Sequence, residues 1–268
     1  MLIQFQDKQV HVEVYGEGEP IVLLNGVMMT TMSWAPFIEA ISKQNKLILL
    51  DFLDQGQSSP MSEAYDVTLH ADTLSAVLDE LGLEQASVAG ISYGSFVAQQ
   101  FALKYPARVK KLVLFNTAAY ASPWLIDIGQ SWQAARSSPE GYYYATMPII
   151  YSQTFYNENQ EWLNARKEFL VKHVFTNESF FEAMDRRLDS AATHDVRERL
   201  GEIKAKTLVV GSRNDYLVPV DEQKFVCDRI PDADLVVLEN CGHASMYERP
   251  DAFMAVLTGF VNNEPVVI

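Results

Sequence analysis

Residues 86–96, ASVAGISYGSF, join two kinds of sequence at a corner. Ala86–Ile91 is a continuous apolar run, the composition of a strand buried on both faces of a parallel sheet. Phe96–Tyr105 has the apolar spacing of a helix. Between them Ser92 stands flanked by Gly90 and Gly94. Glycine gives up conformational entropy inside a strand or a helix, so two of them at one corner need a reason. A sharp strand-to-helix turn supplies it, because neighbouring backbone then comes too close for a Cβ at either position.

The same alternation extends outward. IVLLNG (21–26), KLILLDF (46–52), KKLVLFN (110–116), KTLVVGS (206–212) and DLVVLEN (234–240) read as further buried strands. Trp34–Ser42, Val67–Leu83 and Asp251–Val261 have helical periodicity, and Leu2–Gln6 with Val10–Tyr15 reads as an opening β-hairpin turning at Asp7–Lys8. Strand and helix alternate to about Asn116, which predicts an α/β fold with a mostly parallel, doubly wound sheet. Residues 120–200 break the rhythm: they are helical in pattern and crowded with aromatics such as Trp124, Trp132, Tyr142 and Trp162. They are predicted to form a helical insertion, with 1–119 and 201–268 as the core domain.

Composition narrows the function. The 268 residues are 48% apolar and carry a net charge of −14, which disfavours nucleic acid and anionic membrane surfaces as partners. No uninterrupted apolar run reaches the ~18 residues of a membrane span. The alternating N-terminus does not read as a signal peptide. Cys227 and Cys241 lack metal or disulfide spacing and read as small apolar residues in a reduced, cytoplasmic setting. There is no dinucleotide fingerprint, P-loop or metal-ligand cluster, so neither an organic cofactor nor a metal is expected.

Gly-x-Ser-x-Gly between a strand and a helix is the nucleophile-elbow pattern, with the hydroxyl held out on a strained turn and the helix N-terminus aimed at it. Such a serine needs a base, and the base needs an orienting carboxylate. Of five histidines, His11 lies in the hairpin, His70 in a helix, and His173 and His194 in the insertion. His243, in ENCGHASMYERP (239–250), follows the last strand behind Gly242, where a parallel sheet delivers side chains to a crevice. Asp215 follows the strand before it. Neighbouring Asn214 carries no charge, and Asp221 reads as a helix-start residue. The chain order Ser92, Asp215, His243 matches this type of triad.

On GISYGS (90–95), GSRNDYLVP (211–219), GHASMYERP (242–250) and DFLDQGQS (51–58), the chain resembles the α/β-hydrolase superfamily over nearly its whole length. The resemblance implies eight strands, a helical cap between strands six and seven, and an oxyanion hole made by the backbone amides of Tyr93 and Val27. Two departures stand out: Asn25-Gly26 where many relatives have His-Gly, and Asp54 where they have glycine. LLNGVMMTTMSW (23–34) is locally similar to acyltransferases that join hydroxyacyl chains for rhamnolipid precursors.

The reaction expected is hydrolysis of a small-to-medium hydrophobic ester, thioester or lactone by a monomer or homodimer. Met28, Met29 and Trp34 are expected to touch the substrate, Met because its soft side chain adapts to apolar shapes. Acyl transfer to a hydroxyacyl acceptor and non-catalytic ligand binding are the alternatives.

Overall fold

Each continuous apolar run becomes a strand. In the computed structural model, which describes residues 1–263, eight strands form one sheet. They are β1 (Leu2–Phe5), β2 (Lys8–Tyr15), β3 (Glu19–Leu24), β4 (Asn45–Leu50), β5 (Ala86–Ile91), β6 (Val109–Phe115), β7 (Lys206–Ser212) and β8 (Ala233–Leu238). Their order is β1-β2-β4-β3-β5-β6-β7-β8, antiparallel at the β1–β2 and β2–β4 pairs and parallel elsewhere. Every residue of β5 is buried, as its unbroken apolar run requires.

Helices α1 (Ala35–Ser42), α2 (Thr68–Glu80) and α3 (Tyr93–Lys104) connect the first strands. Helix α3 starts three residues before the periodicity reaches it, because Tyr93, Gly94 and Ser95 give its first turn no apolar stripe although all three are buried. Five helices, α4 (Pro123–Ala135), α5 (Pro139–Ile150), α6 (Gln153–Glu158), α7 (Gln160–His173) and α8 (Glu178–Ala192), stand between β6 and β7. The chain leaves and returns at one place, where Tyr120 bridges Asp195. Helices α9 (Val220–Cys227), α10 (Ser245–Glu248) and α11 (Pro250–Asn262) complete the fold. One face of the sheet packs on α1 and α11 through Phe37, Ile41, Phe253 and Leu257, and the other on α2 and α3 through Leu74, Leu78, Val97 and Phe101.

The chain passes from β3 outward to β4 and then returns to β5 on β3's other side. The loops after β3 and β5 therefore diverge, and the crevice beyond their carboxyl ends is where such sheets bind ligands. Among the described residues no helix is long and apolar enough to cross a membrane.

Two histidines are structural. His70 stacks on Phe52 with ring centroids 4.6 Å apart, and His194, beside the neck of the insertion, stacks on Phe96 at 4.2 Å. Burial pushes both imidazoles down to about 3. The unfolded chain protonates them near 6.5, so below that pH it binds more protons than the folded one. Their contribution is therefore complete above pH 6.5 and drains away toward pH 3, at about 2 kcal/mol each by pH 5. Unfolding free energies from urea titrations at pH 7.5 and 5.0 should differ less for His194→Gln than for the parent, by about that amount. An identical difference in both proteins would contradict this burial.

Candidate active site

Ser92 occupies the turn between β5 and α3 with φ 54° and ψ −119°, a strained conformation for a residue with a side chain. Its N–H donates to the Phe115 carbonyl (2.9 Å), and the Ser95 hydroxyl donates to the Ser92 carbonyl (2.5 Å). A Cβ at Gly90 would run into the Gly94 carbonyl and lie 2.6 Å from Ser95 N. One at Gly94 would run into the Leu24 carbonyl and lie 2.7 Å from Asn25 O. Both glycines are thus required for the backbone to pass close enough to turn.

The loops after β7 and β8 bring Asp215 and His243 together. His243 Nδ1 lies 2.7 Å from Asp215 Oδ2. The carboxylate is fully committed: Oδ1 accepts from the Leu217 and Val218 amides (2.9 and 2.8 Å), and Oδ2 also accepts from Asn116 Nδ2 (2.9 Å). Asn116 is buried at the end of β6 with φ 49°, and Ser212 and Ser245 hold its side-chain amide. Asp221 sits exposed in the first turn of α9, the Asn214 backbone N–H donates to the Cys241 carbonyl, and neither side chain is hydrogen-bonded to His243. An ionised Asp215 can only accept, which places the Nδ1 proton on His243 and leaves Nε2 as an acceptor.

Nε2 is buried and has no hydrogen-bond partner among the described residues. Ser92 and His243 line the same cavity, yet no hydrogen bond joins them. The sequence reading expects both links of the chain; the carboxylate–imidazole link is made and the imidazole–hydroxyl link is not. Contacts of this kind commonly tighten only when substrate is bound.

The amides of Val27 and Tyr93 donate to no group among the described residues, and both residues border the cavity at Ser92. Gln55 fixes the Val27 loop: its Nε2 donates to the Gly26 and Val27 carbonyls (3.0 and 3.3 Å), while its Oε1 accepts from Asn25 Nδ2 (3.2 Å). Asn25 donates to the Leu50 carbonyl as well (2.9 Å) and accepts from Trp34 Nε1 (2.7 Å). This buried network accounts for asparagine at position 25. It also corrects the reading of Trp34, which borders neither cavity. It is buried against α1 and α11, stacked on Phe253 at 6.2 Å, and reaches the site by holding Asn25. Met28 and Met29 line a cavity.

Asp54, in the left-handed region at φ 68°, forms a paired hydrogen bond with Arg186 of α8 (2.8 and 2.9 Å), and Arg187 donates to its carbonyl. A carboxylate there ties the loop after β4 to the insertion, a bond that glycine could not make. On the other side Glu248 accepts from Gly242 N–H (3.0 Å), Ser152 N–H (2.9 Å) and Ser152 Oγ (2.5 Å), joining the His243 loop to the insertion. Burial raises its pKa above the ordinary carboxylate range, against the pull of these hydrogen bonds.

Two cavities meet at Val27, Ser92, Trp132 and Leu217. The larger, about 140 Å³, runs between α4 and α8 and is walled by Leu125, Ile128 and Leu188. The smaller, about 90 Å³, lies on the His243 side and is walled by Met28, Met29, Tyr151, Arg166 and Tyr247. Sequence reasoning missed Gln55, Asn116 and Arg166, since each is brought to the site by tertiary contact alone.

Residues 19–250 match the alpha/beta hydrolase fold family. The chain is 42% identical, with a TM-score of 0.96 over 100% of its length and 99% of the other chain, to MGS-M2, an alpha/beta hydrolase enzyme from a Medee basin deep-sea metagenome library. It is 30% identical over 95% of both chains to RutD of Azorhizobium caulinodans, to which a carbamate hydrolase activity is ascribed. It is 29% identical to the 2-hydroxy-6-oxo-6-phenylhexa-2,4-dienoate hydrolase of Comamonas testosteroni, over 95% of this chain and 92% of that one.

Proposed function

The chain belongs to the α/β-hydrolase family, and from that premise we propose that it cleaves a carboxylic ester, thioester or lactone through an acyl-enzyme on Ser92. The observation that carries the reading is the 2.7 Å His243–Asp215 bond, with the unpartnered Nε2 of His243 facing a cavity it shares with Ser92. His243 takes the Ser92 proton, Oγ attacks the carbonyl carbon, and Asp215 steadies the resulting imidazolium. The oxyanion accepts from the Val27 and Tyr93 amides, each such donor being worth about 3 kcal/mol of barrier. His243 then protonates the departing alcohol or thiol, and water, activated by the same imidazole, releases the acid.

Residues 120–200 act as a cap over a core of 1–119 and 201–263, and the last five residues of the expected core lie outside the described residues. The apolar walls from α4 and α8 favour a small-to-medium hydrophobic acyl group. The ester reading rests on the triad's chemistry; of the three relatives named, one is ascribed a carbamate hydrolase activity and another is a dienoate hydrolase.

A second chamber beside His243 gives acyl transfer to an alcohol some support, since an acceptor could stand where water does. Product analysis separates the readings. With p-nitrophenyl butyrate and with a 3-hydroxyacyl thioester as sole substrates, free acid is expected from both. A dimeric hydroxyacyl ester would make the chain an acyltransferase, and no turnover with either would favour a ligand-binding role.

A further inference from the structure

The smaller chamber holds an unpaired cation. Arg166, on α7, has its guanidinium beside the paired rings of Trp162 and Tyr247, 5.4 and 5.1 Å from their centroids. It makes no hydrogen bond or ion pair with any described residue, and its Nε is buried without a partner. The Tyr151 hydroxyl in the same wall likewise bonds to no described residue.

A guanidinium stays charged at every working pH, and cation–π contact takes up none of its N–H donors. Ring contact steadies the group but does not neutralise it. The rest of the wall is largely apolar, including Met28, Met29, Met147 and Ile150. The group is half-buried with only Nε sealed off, and a carboxylate meeting the guanidinium edge-on would gain two charge-assisted hydrogen bonds from it. The net charge of −14 gives no long-range attraction for anions, so recognition must come from this contact.

Position settles which part of the substrate bears the charge. His243 borders this chamber and not the larger one. The departing oxygen must lie within reach of His243 to be protonated, so the leaving group occupies the chamber of Arg166 and the acyl chain the one between α4 and α8. Resting on the acyl-enzyme reading, we propose that the substrate is an ester whose alcohol portion carries a carboxylate, bound in a two-point contact by Arg166.

The test uses butyryl esters of glycolate, 3-hydroxypropanoate and 4-hydroxybutanoate beside esters of the corresponding neutral hydroxyamides, followed by pH-stat. At the best spacer the carboxylate ester should be preferred in kcat/KM by roughly 10- to 100-fold. That ratio should fall to about one in Arg166→Gln and recover in part in Arg166→Lys. A ratio near one in the parent, or one unchanged in Arg166→Gln, would overturn the proposal. Should neither series be hydrolysed, the acyl-enzyme reading fails by itself, and the anion site is judged by calorimetry on Ser92→Ala. Preferential binding of the hydroxyacids over their amides, lost when Arg166→Gln is added, supports it; equal binding of both overturns it.

Discussion

Ser92→Ala is expected to lower kcat for ester hydrolysis by roughly 10⁶, the scale seen when a triad serine is removed. Folding should be unaffected, because the Ser92 hydroxyl makes no hydrogen bond among the described residues and the turn's contacts come from backbone and from Ser95. Equal urea midpoints for variant and parent would separate lost chemistry from lost structure. A variant keeping a tenth of the parent rate would remove Ser92 from the mechanism. His243→Ala should fall into the same range, since a serine without a base remains a neutral alcohol.

The second large effect belongs to Asp215→Asn, for which kcat should drop by about 10⁴. The side-chain volume is kept, and an amide oxygen could still accept from Leu217 and Val218. The amide nitrogen would then replace the oxygen that accepts from His243 Nδ1 and Asn116 Nδ2. Donor would face donor, His243 would be driven to the other tautomer, and Nε2 would carry a proton where an acceptor is needed. Asp221→Asn, on an exposed turn of α9, should stay within about twofold of the parent. The reverse ranking would transfer the role to Asp221.

Much of the frame is readable in one dimension because its signals are local. A strand buried on both faces needs an unbroken apolar run, and all six runs that have this form became strands, although β8, at the sheet's edge, buries only Leu238. The corner at Ser92 is equally local: Gly90 and Gly94 are dictated by backbone within a few residues or one strand away. Trp34 shows where that logic ends. It lies close in sequence to Met28 and Met29, which border the cavity, but at the turn entering α1 its ring is buried in the core against Phe37 and Phe253. Adjacency along the chain says nothing about that difference.

The supporting residues are hidden for a related reason. Gln55 acts on Gly26 and Asn25 across 29 and 30 residues, and Asn116 on Asp215 across 99. Neither has a periodicity that marks it. Arg166 reads as one more charge on a polar helix until Trp162, Tyr247 and the cavity wall are placed around it. The aromatic crowding of the insertion mostly serves packing: Tyr142, Phe175 and Phe181 cluster with one another, while Trp132 and Tyr151 reach the cavities.

Labelling with a fluorophosphonate, followed by digestion and mass spectrometry of the peptides, addresses most directly whether Ser92 is a nucleophile activated by His243. A single adduct is expected on the peptide containing Ser92, absent in Ser92→Ala and formed far more slowly in His243→Ala. An unlabelled parent protein, or an adduct that forms equally well in Ser92→Ala, would contradict it.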